Sequence, residues 1–396
     1  MRVAINLLTE DPANPSGAHW FWTRMIPEMA KQMRNDEELH LLVSPTSRPH
    51  HQGYGPNVHY ISYPWSNERR TLRTLSEHLY SPLRLPLSHI DVFNSLMAPA
   101  VNPTWSLVIH LKTMHAFTAP ASVSPLARAY RRMNYPRAAK VADAIIINSE
   151  SLRNAVNEYL DVEPAKLHLI YEAVDHQVFR PGDRDEAREQ VARHGVTRPF
   201  VLFVSSLWPY KNCDGLIRAF ALVRGELDNP QLAIVGPGRD GKYADLLKAL
   251  TVELGIEKDV VFVGGVPLEE TPYFYRAAEV FVYPSFSETF GLPILEAMAC
   301  GCPVVTSNVS AMPEIAGGAA FLADPTDPAS IGRAIVEACS PQADQLRAQG
   351  LQRAGQFTWG ATAAATLNVY REVHQRRQAR QALRASGSAA HTRLGL

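Results

Sequence analysis

Phe200-Val-Leu-Phe-Val-Ser205 is a short uncharged run of aromatic and branched side chains. It leads through the turn Ser206-Leu-Trp-Pro-Tyr-Lys211-Asn212 into the helix-like Gly215-Leu-Ile-Arg-Ala-Phe220. A short apolar run followed by turn residues and then helical spacing reads as a parallel strand buried on both faces. Downstream the pattern recurs at Gln231-Leu-Ala-Ile-Val-Gly236, Val260-Val-Phe-Val-Gly264, Val280-Phe-Val-Tyr283 and Pro303-Val-Val-Thr306. Upstream, Val3-Ala-Ile-Asn-Leu-Leu8 opens a similar series at Leu39–Val43, Val58–Ser62, Ser106–His110 and Ala144–Asn148. Strands alternating with helix-length stretches predict an α/β protein with two doubly wound parallel sheets and right-handed crossovers.

The chain length of 396 residues fits two domains with a ligand cleft between them. An apolar fraction of 46% and a charged fraction of 20% exclude disordered, collagen-like and coiled-coil classes. Thirty-nine basic and thirty-nine acidic side chains cancel, so the whole-molecule field of a nucleic-acid binder is missing and any anion must be gripped locally. Cys213, Cys300, Cys302 and Cys339 are too few for a disulfide scaffold and read as small buried thiols in a cytoplasmic protein. No apolar run has the length of a membrane span, and the stretch before Thr9-Glu10-Asp11 is too short for a signal peptide, so membrane contact would be peripheral.

The Pro/Gly-punctuated stretch Phe179-Arg-Pro-Gly-Asp-Arg-Asp-Glu186 reads as a linker. It divides a first domain, 1–180, from a second, 181–361. A helix over about 362–385 is expected to return to the first domain, and residues 386–396 to form a disordered tail. Asp183-Arg-Asp185 looks like a metal-binding carboxylate pair, but Asp183 with Glu186 three residues on fits a helix cap better. Gly236-Pro-Gly238-Arg-Asp-Gly241 satisfies G-x-G-x-x-G after a strand. However, the next strand ends in Gly264-Gly265 rather than an acidic ribose ligand, and Pro237 lacks an amide, so the run reads as a glycine-rich turn lining a cleft.

The most informative stretch is Ser285-Phe-Ser-Glu288-Thr-Phe-Gly-Leu-Pro-Ile-Leu-Glu296, two glutamates around a Phe-Gly-Leu-Pro turn. Pro293 suits the first turn of a helix. Amides around Gly291 and Leu292 would then face outward at the helix N-terminus, where phosphate is favoured. Glutamates on either side of a diphosphate suit a sugar on one side and a ribose on the other. Both could equally cap or pair at an ordinary helix start. Lys211 falls at the carboxyl edge of the same predicted sheet and can neutralise a diphosphate.

The series from Ser206 through Lys211-Asn212, Gly236-Pro-Gly238, Phe262–Pro267, Tyr283-Pro-Ser285, Glu288 to Glu296, Gly301–Ser307 and Pro313-Glu314 resembles the donor domain of family 4 retaining glycosyltransferases. The first half is similar in outline. The resemblance implies the GT-B fold, with two Rossmann-like domains and the active site in the cleft between them. It implies that Lys211, with Ser206 and Asn212 beside it, binds the donor diphosphate and that Glu288 holds donor-sugar hydroxyls. Thr289, Phe290, Gly291 and Leu292 would contact sugar and phosphate, Glu296 the ribose, and Val266 the base, with Gly236 lining the cleft. His110 would reach the donor sugar near its anomeric carbon, and Gly17 stands where the family's loop approaches the diphosphate. His110, Glu288 and Lys211 are thus the catalytic set. Departures are a single glycine at the loop, Ser206 where many members carry arginine, and Thr289 where glycine is usual.

The implied activity is retaining transfer of a hexose from a nucleotide diphosphate sugar to a saccharide, lipid-linked or natural-product acceptor. GDP-mannose is favoured, and a UDP-sugar next, because the series is most similar to mannosyltransferases of polysaccharide assembly. Neutralising the leaving diphosphate requires no metal and no cofactor. A glycosidase would need an acid carboxylate beside the scissile bond, so the two glutamates read as binding groups. Alternatives are a sugar-nucleotide epimerase or sucrose-synthase-like enzyme on the same fold, or an inactive nucleotide-binding subunit. Trp20, Trp22, Trp65 and Trp105, with His19, His50, His51 and His115, could form an acceptor groove or pack in the core. Arg128, Arg131, Arg132, Arg137 and Lys140, and the basic end of the last helix, could touch anionic lipid at the inner face of the membrane or form solvated faces.

Overall fold

The computed structural model describes the chain except for residues 9, 11–16, 65–88, 97–104, 121–122, 239, 342 and 394–396. Trp65 therefore lies outside the described residues. The chain divides into two compact units. The first comprises residues 1–148, 152–171 and 359–396, the second residues 149–151 and 172–358.

The first unit is built on strands β1 (Arg2–Asn6), β2 (Glu38–Val43), β3 (Val58–Ser62), β4 (Val92–Ser95), β5 (Ser106–His110), β6 (Ala144–Ile147) and β7 (Leu167–Leu169). The second is built on β8 (Phe200–Val204), β9 (Gln231–Val235), β10 (Val260–Gly264), β11 (Val280–Tyr283), β12 (Val304–Ser307) and β13 (Phe321–Ala323). Both sheets are parallel, in the orders β3-β2-β1-β4-β5-β6-β7 and β10-β9-β8-β11-β12-β13. Each order reverses once, between β1 and β4 and between β8 and β11. Those switch points open a crevice at the carboxyl ends of the strands.

The helices that matter below are α1 (Gly17–Gln32), α2 (Pro125–Val141), α3 (Arg184–Ala192), α4 (Cys213–Val223), α5 (Leu292–Ala299) and α6 (Trp359–Arg393). In β1, Val3 and Ile5 join the cluster of Trp22, Met25, Leu367 and Tyr370 from α1 and α6, while Ala4 joins Leu42, Phe93 and Ile109 on the opposite face. Both faces are covered, which is why the strands read as continuous apolar runs.

The last helix is fastened to the first unit by polar contacts as well. Arg371 holds the Glu37 carboxylate through Nε to Oε1 and Nη2 to Oε2, both at 2.8 Å, and Gln32 donates to the Gly360 carbonyl at 3.0 Å. The backbone of α6 remains helical to Arg393, through the Ser386-Gly-Ser-Ala-Ala stretch expected to lack structure. One glycine in an alanine-rich stretch does not stop a helix already nucleated over several turns.

Asp183 caps α3, its Oδ1 accepting from the amides of Asp185 and Glu186 at 2.8 and 2.9 Å, while the exposed Asp185 carboxylate accepts from Arg188 at 3.3 Å. Cys213, Cys300 and Cys302 are buried, but Cys339 is exposed, because it follows the last turn of the helix Pro328–Ala338 rather than facing the core. Burial pushes the Cys302 thiol up to about 12, which leaves it protonated and unreactive. Among the described residues no helix is long and apolar enough to cross a membrane.

Candidate functional site

In the second unit the loops after β8 and β11 flank the switch point, and each delivers one charged side chain. After β8 the chain turns through a short 3-10 helix, Pro209–Lys211, and Asn212 takes the left-handed conformation at φ 59° before α4 begins. The side chain of Asn212 donates to the carbonyls of Pro284 at 3.0 Å and Pro325 at 2.7 Å. Asn212, proposed as a donor contact, thus ties the lysine loop to the loops that follow β11 and β13. A Cβ at Gly215 would lie 2.3 Å from the Asn212 side chain, so glycine is what lets the asparagine fit there.

Lys211 Nζ donates to Tyr283 Oη at 2.6 Å and to Glu288 Oε1 at 2.5 Å, and Tyr283 Oη donates to the same Glu288 oxygen at 2.8 Å. The ammonium also lies about equally far from the rings of Tyr210, at 5.0 Å, and Tyr283, at 5.1 Å. Burial works to lower the lysine pKa. The Glu288 carboxylate and the two tyrosines outweigh it, so the ammonium is held above the ordinary lysine range. Burial, with the Glu288 charge, raises the Tyr283 hydroxyl, which stays protonated as a donor.

Glu288 is fixed by its backbone too. Its amide donates to Ser310 Oγ at 3.1 Å and its carbonyl accepts from the same hydroxyl at 2.6 Å, with Ser310 itself at φ 60°. The sequence reading quotes Tyr283 in the family-like series without assigning it a role, and does not include Ser310. The role of Tyr283 could have been found, since the last residue of a strand at the switch edge faces the crevice. Nothing in the sequence marks Ser310.

From Glu288 the chain passes Thr289 and Phe290 to Gly291, at φ 96°, which precedes α5. A left-handed residue here favours glycine. Phe290 is buried edge-on against Phe357, with ring centroids 6.1 Å apart. The Thr289 carbonyl accepts from Ser149 Oγ at 2.6 Å, and Glu314 accepts from the amides of Glu150 and Ser151 at 2.8 to 3.2 Å, all within the second unit. Leu292 and Pro293 open the first turn of α5; Pro293 carries no N–H and the Ile294 amide donates to the Gly291 carbonyl at 3.0 Å, so Leu292 is the first-turn amide with no acceptor within the helix. Glu296 lies on α5 and accepts from Tyr275 Oη at 3.1 Å.

Gly236 follows β9 at φ 138°, and a Cβ there would lie 1.9 Å from the Ser205 carbonyl oxygen. The glycine is required by this backbone approach. Asp240 in the same turn caps the helix Gly241–Glu253, accepting from the Lys242 and Tyr243 amides. Ser206 and Val266 are half-buried in the loops after β8 and β10. Lys211 and Glu288 are therefore in direct contact, and the α5 turn is continuous with Glu288.

In the first unit, His110 closes β5 and is fully buried, its ring 5.6 Å from Phe21 and 5.4 Å from Trp22. Neither ring nitrogen has a hydrogen-bond partner among the described residues. Burial, then the charge of Lys112, holds the imidazole well below its usual range, so it is neutral. Gly17 opens α1 and is exposed, with nothing within 4 Å of where a Cβ would stand and no left-handed φ. Its backbone does not itself demand glycine.

Of the proposed acceptor aromatics, Trp22 and Trp105 are core residues, because α1 and the strand edge press them into the sheet faces. Trp20 is 36% exposed and carries Arg24 at 5.1 Å over its ring. His19 and His51 are buried against Glu10 rather than lining a groove, and His50 is exposed. His115 is half-buried, with its amide donating to Thr113 Oγ1 at 3.1 Å. Helix α2 buries Tyr135, Ala138 and Ala139 and turns Arg132, Arg137 and Lys140 outward together with Leu126, Met133 and Val141.

Residues 183–353 match the family model described as glycosyl transferases group 1, and residues 22–178 match that described as glycosyltransferase family 4. The chain is 42% identical over 177 residues to an O-antigen chain mannosyltransferase B of Escherichia coli, covering 43% of this chain and 45% of that protein. It is 32% identical over 271 residues to a D-inositol 3-phosphate glycosyltransferase of Mycolicibacterium vanbaalenii, covering 64% of this chain and 59% of that one. The chain thus spans about half the length of the curated relatives it matches. Among solved structures it is similar to Anabaena HepE in complex with UDP and glucose, with a TM-score of 0.70 at 18% identity, over 94% of this chain and 100% of that one.

Proposed function

Because the chain belongs to the family 4 glycosyltransferases, with their two Rossmann-like domains and GT-B fold, we propose that it transfers a hexose from a nucleoside diphosphate sugar to an acceptor hydroxyl with retention at the anomeric carbon. The observation that carries this reading is the buried Lys211–Tyr283–Glu288 cluster at the β8/β11 switch point, continuous with the N-terminus of α5.

The chemistry follows from charge. The bond between C1 and the diphosphate oxygen breaks with its electron pair leaving on the diphosphate, and the sugar becomes oxocarbenium-like. The acceptor oxygen forms the new bond to C1 from the face the diphosphate leaves, and its proton passes to a phosphate oxygen of that leaving group. What the protein supplies is a preorganised positive field. Lys211, with two of its three N–H donors held by Tyr283 and Glu288, offers the third, and the N-terminus of α5 provides the positive end of a helix. Together they neutralise the departing diphosphate without a divalent ion. Glu288, its backbone pinned by Ser310, holds sugar hydroxyls, and Glu296 on α5 holds the ribose. Neutral His110 offers a ring nitrogen as a hydrogen-bond group toward the sugar rather than as an acid.

GDP-mannose is the first choice of donor, supported by similarity to a protein named an O-antigen chain mannosyltransferase, and a UDP-sugar is the second. For the acceptor, α2 offers exposed Leu126 and Met133 among Arg132, Arg137 and Lys140, a surface that suits anionic lipid headgroups and a lipid-linked saccharide at the inner face of the membrane. Transfer to a saccharide or lipid-linked acceptor, followed by NMR of the product, tests the reading. It predicts a retained anomeric configuration and a rate unchanged by added Mg2+ or Mn2+. An inverted product, or turnover only with added Mg2+, contradicts it.

A further inference from the structure

Three side chains of the first unit that take no part in the transfer scheme converge inside it. Glu10 follows β1, His19 lies in the first turn of α1, and His51 follows β2; they are 0%, 5% and 0% exposed. Glu10 Oε2 lies 2.6 Å from His51 Nε2 and 3.4 Å from His19 Nδ1, and one ligand atom from each residue lies within 4.8 Å of the others. The second carboxylate oxygen, Oε1, is buried and has no hydrogen-bond partner among the described residues. The ion-pair partners of Glu10 among those residues are these two histidines.

A carboxylate removed from water costs several kcal/mol unless its charge is matched. Here both imidazoles approach one carboxylate oxygen, Oε2, and the other, Oε1, is left without a partner among the described residues. Two imidazole nitrogens and a carboxylate oxygen are a donor set for zinc and its neighbours among the divalent transition metals. The outer partner is present as well: His51 Nδ1 lies 3.2 Å from Tyr54 Oη, which fixes the ring so that Nε2 faces Glu10.

We propose that Glu10, His19 and His51 bind one zinc-class divalent ion, which clips the connection between β1 and α1 to the connection after β2. The role is structural: the ion would hold the carboxyl edge of the first sheet and take no part in the departure of the diphosphate. A second group of the same residue types gives a built-in comparison. Glu38 lies 2.9 Å from His40 and 4.0 Å from His59, but on the surface and with Arg2 Nε at 3.1 Å on the same carboxylate oxygen. There an arginine already supplies the positive charge.

The test uses the full chain, stripped of metal and then titrated with Zn2+ alone. We expect about one zinc per chain by elemental mass spectrometry, a rise in Tm on adding Zn2+, and tetrahedral visible absorption when Co2+ replaces it. Glu10→Gln and His51→Ala should weaken zinc binding by more than about tenfold and abolish the Tm rise, while His59→Ala retains both. A wild-type chain that binds no stoichiometric zinc, or a Glu10→Gln chain that binds it as the wild type does, overturns the proposal. If the buried variants do not fold, the metal content and Co2+ spectrum of the wild type decide. Titrating GDP into the stripped chain keeps this result separate from the transfer reading, since nucleotide binding would reside in the second unit.

Discussion

Lys211 Nζ and Glu288 Oε1 lie 2.5 Å apart, and the Tyr283 hydroxyl bridges the same two atoms. Both charged side chains are almost withdrawn from solvent. Removing one partner leaves the other as an unpaired buried charge, which costs about 3–5 kcal/mol, whereas replacing both by apolar groups is often neutral. We therefore expect Glu288→Gln to destabilise the protein and the double variant Lys211→Met/Glu288→Leu to recover most of that loss, yet to bind no donor. Urea melts and donor titrations on the same samples check both halves. The lysine pKa is raised on folding, so its contribution is fully present below the ordinary value of 10.5 and fades only as pH rises beyond it.

His110 titrates in the opposite sense. Burial, with Lys112 beside it, depresses the imidazole in the folded state. The unfolded chain therefore takes up a proton first, and stability is present above about pH 6.5 and lost as pH falls toward the folded pKa. His110→Phe should flatten the stability profile between about pH 6.5 and 5 by up to about 1.4 kcal/mol per pH unit. A histidine proton resonance for His110 that titrates at the ordinary value would contradict this.

Gly236 and Gly17 should answer differently to the same change. Gly236→Ala drives a methyl into the Ser205 carbonyl and holds an L residue at φ 138°, so a loss of about 3 kcal/mol or more is expected in denaturant melts. Gly17→Ala meets nothing and should leave stability within about 1 kcal/mol. A fall in donor affinity in that variant would assign Gly17 to the donor loop.

Glu37 and Arg371 anchor the last helix to the first unit. The arginine's hydrogen bonds hold the Glu37 carboxyl below its usual value. The contribution is present above the ordinary carboxylate value of 4.5 and is lost as pH falls through the lowered one. Glu37→Gln should cost about 1–3 kcal/mol near neutrality, where Arg371 loses its carboxylate but keeps Asn368 and the Gln32 carbonyl, and nothing extra in acid.

Much of the second unit was legible because its chemistry is local. β10 and β11 end where the apolar runs end, and Lys211 and Glu288 sit at fixed distances after strands. What escaped was either short or non-local. β4, Val92-Phe-Asn-Ser95, is half polar because Asn94 bonds Tyr370 of α6, and β7 and β13 are three-residue edges. Ser310 reaches Glu288 across a loop that no spacing announces. Trp22 and Trp105 carry the same sequence signal as a stacking platform, and only the packing of α1 and the sheet makes them core. Glu10, His19 and His51 are brought together by the β1–β2 pairing, which juxtaposes the loops after the two strands.

The most direct measurement is calorimetric titration of GDP-mannose, then UDP- and ADP-sugars, into wild type and Lys211→Ala, with folding verified by circular dichroism. One charge-assisted contact to a diphosphate contributes about 1.5–3 kcal/mol, so Lys211→Ala should weaken donor binding by about tenfold to a hundredfold. An affinity within about twofold of wild type would contradict the placement of the diphosphate at Lys211, and with it the site described.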